Sequence, residues 1–72
     1  MNNKEKYYLA LKQNNGRLNE MDLGESLGFE DERTRQIIVE LMEEYRIAYL
    51  QNGNCNYSLM KGVRGKNRKN LF

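Results

Sequence analysis

The feature that most constrains the fold of this chain is a pair of helically spaced apolar runs separated by one glycine, Gly28, within residues 18–41. Apolar residues that recur every three or four positions form one face of a helix. A glycine directly after such a run supplies the left-handed conformation that ends the helix. The inward face on the two sides of Gly28 is predicted to include Met21, Leu23, Leu27 and Phe29, and then Thr34, Ile38, Leu41 and Tyr45.

Residues around these runs predict where the two helices begin and end. Asn19 is a good N-cap, because its side chain can accept a hydrogen bond from a free backbone N–H near Asp22. Gly24 is costly inside a helix, so it predicts tight packing against the following helix. That helix is predicted from about Asp31 to Tyr45. Two helices joined by three or four residues that include glycine are typical of a helix-turn-helix motif, whose second helix usually enters the DNA major groove.

A further helix is predicted before this pair, from Lys4 to Asn14. Tyr7, Tyr8 and Leu11 share one stripe of it, and Asn14-Asn15-Gly16 ends it because Asn and Gly tolerate the left-handed cap conformation. Together the predicted elements define a core. Its predicted members are Leu11, Leu23, Leu27, Phe29, Ile38, Leu41, Ile47, Tyr57 and Leu59, and the five tyrosines are predicted at the core or its edge.

After the third helix, the alternating stretch IAYLQNGNCNYSLM predicts a β-hairpin. Asn52-Gly53 is the strongest short-range signal for the turn. Two registers of the hairpin are open. A two-residue turn would pair Leu50 with Cys55. A three-residue loop would instead bring together the apolar residues Ile47, Tyr49, Tyr57 and Leu59. The second register is preferred because it buries more apolar area.

Composition excludes several classes of protein. A chain of 72 residues holds one domain at most, close to the lower size limit for a fold without disulfides or metals. With one cysteine, Cys55, and no histidine, we expect no intrachain disulfide, metal or cofactor. No apolar run is long enough to span a bilayer, and the N-terminus does not resemble a signal peptide, which predicts a cytoplasmic protein. No paired nucleophile and base or phosphate loop is present, so no enzyme is predicted.

Charge is distributed unevenly around the net value of +2. Residues 1–18 hold four cations and one carboxylate, residues 19–60 hold three cations and nine carboxylates, and residues 61–72 hold five cations and no carboxylate. The last segment has too little apolar surface to offset the entropy of ordering it. The sequence therefore predicts a domain over residues 1–60 and a mobile basic C-terminal tail over residues 61–72.

The predicted elements follow the order helix, short link, helix, turn, helix, hairpin from Lys6 to Met60. This pattern resembles the winged helix-turn-helix domains of small bacterial transcription regulators. The resemblance implies an α+β fold of three helices followed by a two-stranded β-hairpin wing, and a role in DNA binding. The matching residues are Gly16-Arg17-Leu18 in the link, Leu23, Leu27, Gly28 and Phe29 around the turn, Thr34, Ile38 and Leu41 in the recognition helix, and Ile47, Tyr57 and Leu59 in the hairpin.

This chain departs from the family pattern at the two ends of the third helix. The N-cap position, commonly Ser or Thr, holds Glu30, and Asp31 follows it. After the helix, where the family often has glycine, the chain has Tyr45-Arg46. Without that glycine, the turn that leaves the helix is predicted to be strained or differently built.

In the family, the outward face of the third helix meets base edges and phosphates. Arginine can pair bidentately with guanine, glutamine with adenine, and an exposed valine can contact a thymine methyl group. Basic residues elsewhere would contact phosphates. The predicted contacts to double-stranded DNA are Arg33, Arg35, Gln36 and Val39 on the helix, Lys12 and Arg17 before it, and Arg64, Lys66, Arg68 and Lys69 in the tail.

The acidity of the third helix leaves a second interpretation open. Glu30, Asp31 and Glu32 surround its N-terminus, where they favour the helix dipole but repel an approaching phosphate. In this alternative the domain is a protein–protein interaction module whose acidic face binds a basic partner, and the arginines merely offset nearby carboxylates. If the target is DNA, a homodimer is an option because a single half-site gives modest affinity.

Overall fold

The computed structural model describes residues 1–60 as three helices followed by an antiparallel β-hairpin, an α+β arrangement as predicted. The elements are α1 (Asn3–Asn14), α2 (Glu20–Ser26), α3 (Asp31–Glu43), β1 (Ile47–Asn52) and β2 (Cys55–Leu59). The predicted mobile tail and the predicted boundary after residue 60 concern residues 61–72, which lie outside the described residues.

Polar caps define both ends of α1. The Asn2 side chain accepts a hydrogen bond from the Glu5 backbone N–H at 2.8 Å, and Asn15 ends the helix in the left-handed conformation that its sequence predicts. Tyr7 and Leu11 on the inward stripe are buried. Asn14 is buried as well, and its side chain is hydrogen-bonded to the Leu18 backbone. Its amide N–H donates to the Leu18 carbonyl and its amide oxygen accepts from the Leu18 N–H, each at 2.9 Å. This bridge holds the link between α1 and α2.

Helices α2 and α3 pack together through a glycine, as predicted. The Asn19 side chain caps α2 by accepting from the Asp22 N–H at 2.8 Å. A Cβ at Gly24 would overlap the Thr34 side chain, lying within 2.7 Å of its Cγ2. Gly28, with φ of 87°, makes the turn between the two helices. Only a residue without a side chain lets α2 approach α3 this closely.

Helix α3 ends at Glu43, two residues before the predicted end. Tyr45 has φ of 59°, so a bulky residue takes the left-handed position that glycine usually occupies. The Tyr45 N–H donates to the Met42 carbonyl at 3.0 Å and the Arg46 N–H to the Leu41 carbonyl at 2.9 Å, which is the Schellman pattern. The prediction of an unusual exit turn is confirmed. The prediction that Tyr45 lies on the inward face is wrong, because its side chain turns outward at the reversal and is 73% exposed.

The hairpin adopts the preferred register near its open end. Ile47 pairs with Leu59 and Tyr49 with Tyr57, whose rings meet edge to face at 5.4 Å between centroids. The register then shifts by one residue between Tyr49 and Asn52, so that Asn52 pairs with Cys55 across a tight turn. One extra residue in β1, a β-bulge, therefore allows both the preferred register near the open end and a two-residue turn at Gly53-Asn54.

The core lies between the three helices and the first residues of both strands. Leu27, Phe29, Tyr57 and Leu59, predicted as core, are half-buried and pack against its edge. Tyr49 is 71% exposed, so its predicted place at the core edge is wrong. It pairs with Tyr57 two residues beyond the buried Ile47, where residues 1–60 leave its ring largely uncovered. The buried apolar residues are Tyr7, Leu11, Leu23, Ile37, Ile38, Leu41, Ile47 and Cys55.

Candidate nucleic-acid interface

The candidate interface is the outward face of α3. Thr34, Ile37, Ile38 and Leu41 turn inward and are buried, which leaves the opposite side of the helix to solvent. All four residues predicted on this helix to contact DNA, Arg33, Arg35, Gln36 and Val39, are exposed. The helical repeat therefore produces the predicted exposed surface.

The two arginines of this face are free of ion pairs within residues 1–60. The Arg33 guanidinium makes one long contact, 3.5 Å from Nη1 to the side-chain oxygen of Gln36. Such a contact on an exposed surface is weak and easily exchanged for a base or a phosphate. Both guanidinium groups are thus available to an incoming ligand.

Carboxylates occupy both ends of α3. Glu30 is the N-cap but makes no side-chain cap hydrogen bond, and Asp31 and Glu32 follow in the first turn. Glu40 and Glu43 lie in the second half, so that α3 has its cations in the first half only. A DNA backbone would therefore meet the cations of α3 only at Arg33 and Arg35, in its first two turns and next to Asp31 and Glu32.

The second half of α3 also exposes apolar side chains. Val39, Met42 and Tyr45 are 52%, 37% and 73% exposed. With Glu43 they line an open hollow of about 400 Å³, which we call the α3 hollow. An apolar surface beside a carboxylate is a poor surface for phosphate and a suitable one for an apolar group.

The other predicted DNA-contact residues lie against the hairpin. Lys12 is exposed and lines a groove of about 440 Å³ between the end of α1 and the hairpin, together with Leu50 and Leu59. Arg17 is exposed, and its backbone carbonyl accepts from the Asn54 side chain at 2.9 Å. The described contacts do not join either cation to the arginines of α3. The tail residues Arg64, Lys66, Arg68 and Lys69 lie outside the described residues.

The hairpin tip packs against the link between α1 and α2. The Asn54 backbone N–H donates to the Gly16 carbonyl at 2.8 Å. A Cβ at Gly53 would lie 2.5 Å from that carbonyl oxygen, so the tip and the link approach too closely for any side chain there. The tip is therefore held by backbone contacts and has no cation to offer a phosphate.

Arg46 lies at the centre of a charge cluster that no sequence pattern predicted. The Arg46 guanidinium forms a bidentate ion pair with the Glu5 carboxylate, with 2.8 Å from Nη2 to Oε1. The guanidinium also lies 4.1 Å from the centre of the Tyr8 ring and 3.5 Å from the Glu44 carboxylate. Lys4 pairs with Glu44. The hydrogen bond from Arg46 lowers the pKa of Glu5, and the hydrogen bond from Lys4 lowers the pKa of Glu44. These two cations join α1 to the end of α3 and are already engaged, so they offer little to DNA.

A second polar cluster lies where α2 meets β2. The Glu20 carboxylate accepts from the backbone and side-chain N–H groups of Asn56, at 3.0 and 3.1 Å. Burial acts to raise the pKa of Glu20, but these hydrogen bonds outweigh it and the net pKa is lowered. Burial raises the pKa of the neighbouring Cys55 thiol and of Tyr7, whose hydroxyl donates to the Glu20 carbonyl at 2.9 Å. These groups tie the hairpin to the helices.

Within residues 1–60 the chain has no group of three or more potential metal-ligating side chains, and none of the helices there is long and apolar enough to cross a membrane. Comparisons of the chain with protein-family models, with curated proteins and with solved structures found no match.

Proposed function

We propose that this chain is a winged helix-turn-helix protein that binds double-stranded DNA in the bacterial cytoplasm, as a transcription regulator or an accessory factor. The observation that carries the proposal is the exposure of Arg33, Arg35, Gln36 and Val39 on the side of α3 that faces away from the core. The order of elements and the close approach of α2 to α3 at Gly24 also support it.

In this proposal α3 lies in the major groove and reads bases with the outward residues from Arg33 to Val39. Arg33 and Arg35 are suited to guanine, Gln36 to adenine, and Val39 to a thymine methyl group. Each good bidentate pair contributes about 1–3 kcal/mol of discrimination. The proposed role is binding rather than catalysis.

Attraction to the phosphates must come largely from outside α3. Residues 1–60 hold seven cations and ten carboxylates, and two of those cations, Lys4 and Arg46, are paired with carboxylates. Residues 61–72 add five cations and no carboxylate. We therefore assign much of the non-specific affinity to that segment, with contributions from Lys12 and Arg17. A homodimer would raise the affinity by binding two half-sites.

Titration of a fluorescent duplex with the full chain at several salt concentrations tests this proposal. Each phosphate contact contributes about −0.9 to the slope of log affinity against log salt. Removal of residues 61–72 should flatten the slope by roughly two to four units if some of their five cations reach phosphates. A matched control replaces Asn67 and Asn70 with Ser, which keeps every cation. Failure to bind any duplex at low salt would contradict the proposal.

A protein–protein interaction module is the second candidate. The α3 hollow favours it, because Val39, Met42 and Tyr45 expose apolar surface beside Glu43 on the helix proposed to read DNA. The module would bind a basic partner through this acidic face. Absence of duplex binding, with an intact fold, would favour this candidate over the first.

A further inference from the structure

The α3 hollow has the chemistry of a peptide-binding surface. Its lining is apolar at Val39, Met42 and Tyr45. Glu43 also lines it, and Glu40 lies three residues before Glu43 on α3. Glu44 is engaged by Lys4 and Arg46, whereas Glu40 and Glu43 form no ion pair within residues 1–60. The surface thus suits a basic segment with apolar side chains.

The chain leaves the hairpin next to this hollow. The Met60 backbone N–H donates to the Arg46 carbonyl at 2.9 Å, so Met60 lies beside the turn that contains Tyr45. The same turn is bonded to α3, since the Arg46 N–H donates to the Leu41 carbonyl. The last described residue is therefore close to the apolar surface that the following segment would have to reach.

We propose that residues 61–72 bind in the α3 hollow of the same chain when no other ligand is present. The segment, KGVRGKNRKNLF, combines five cations with the apolar residues Val63, Leu71 and Phe72. In this proposal Leu71 and Phe72 cover the apolar lining, and the cations are attracted by Glu43 and by Glu40 one turn earlier. This inference concerns the free protein and stands whether or not α3 binds DNA.

The geometry of the chain permits this contact at low cost. The ten residues between Met60 and Leu71 reach about 33 Å when extended, at about 3.3 Å per residue. From Glu43, at the end of α3, back to Val39 the helix spans only about 6 Å, at 1.5 Å per residue. A short flexible connection gives an effective concentration in the millimolar range. An intrinsic dissociation constant of about 0.1 mM would then leave roughly one molecule in ten unbound.

Trypsin cleavage of the full chain within residues 61–72 measures the unbound fraction, because only the open segment enters the protease. A docking variant, Leu71→Ser with Phe72→Ser, keeps every cleavage site. At an open fraction of about one in ten, we expect the unmodified chain to be cleaved roughly tenfold more slowly than this variant. The matched control, Asn67→Ser with Asn70→Ser, should retain the protection.

Variants of the hollow test the other side of the contact. Glu40→Gln with Glu43→Gln should accelerate cleavage, whereas Glu30→Gln with Glu32→Gln, at the far end of α3, should not. The methyl NMR signals of Val39 and Met42 should move in the docking variant and stay in place in its control. An unchanged amide spectrum elsewhere shows that each variant is folded.

Three outcomes would overturn the proposal. Equal cleavage rates for the unmodified chain and the docking variant would show that the segment does not bind. If the protection from trypsin is lost when the protein is diluted, the segment in the hollow belongs to a second copy of the chain. Protection without any change at the Val39 and Met42 methyl groups would place the segment on another surface.

Discussion

The two faces of α3 differ in how they are built and in what they do. The inward face, with Thr34, Ile38 and Leu41, is buried against α2 and the hairpin. The outward face, with Arg33 and Arg35, is exposed, and within residues 1–60 its arginines make one long side-chain contact, from Arg33 to Gln36. One helix thus separates the residues that hold the domain together from those available to a ligand. Substitutions on the inward face should consequently lower the free energy of unfolding, whereas those on the outward face should lower the affinity for a ligand.

The largest effect is expected from Leu41→Ala on the inward face. Leu41 has no exposed surface, and truncation of a buried leucine costs roughly 2–5 kcal/mol through lost burial and the cavity left behind. A loss of this size could unfold so small a domain. Urea denaturation measures it. The control Val39→Ala, at a site that is 52% exposed, should change the free energy of unfolding far less.

Arg35→Ala tests the outward face. If α3 reads bases, specific DNA affinity should fall by about 1–3 kcal/mol, while the free energy of unfolding stays nearly unchanged. Titration of a specific and a random duplex in parallel measures the difference. An equal loss on both duplexes would make Arg35 a phosphate contact. A loss of stability comparable to that of Leu41→Ala would erase the distinction between the faces.

Gly24→Ala tests how closely the inward face is packed. The added methyl group would overlap Thr34, and overpacking of this kind costs roughly 1–3 kcal/mol. The better helix propensity of alanine offsets up to about 1 kcal/mol of this. Thermal unfolding measures the net loss, which Thr34→Ala should partly relieve in the double variant because it removes the atoms that clash. Additive losses would show that the two sites are not in contact.

The smallest effect concerns the exposed charges that join α1 to the end of α3. Arg46 lowers the pKa of Glu5 in the folded state below its ordinary value of 4.5. The contribution of this pair to stability is therefore present above about pH 4.5 and is lost as the pH falls through the lowered pKa. Glu5→Gln should slightly lower the melting temperature at neutral pH and converge with the parent chain in acid. Glu25→Gln, at an exposed site without an ion pair among residues 1–60, is the control, and an equal effect there would contradict this assignment.

Much of the fold and part of the candidate site could be predicted from local signals. The Asn19 cap, the approach of α2 to α3 at Gly24 and the outer register of the hairpin are confirmed by the structure. Exposure of Arg35 follows from the same helical repeat that buries Ile38.

The amino-acid sequence by itself determined the helices, the hairpin and the side of each helix that is buried. These follow from apolar spacing, caps and turn residues within a few positions of one another. Only the tertiary structure decided which distant groups meet. Arg46 finds Glu5 across 41 positions, and the hairpin tip rests on Gly16. Tyr45, in the left-handed position at the end of α3, and Tyr49, beyond the buried end of β1, are both largely exposed. Their exposure depends on which elements pack over them, and local spacing contains no information about that packing.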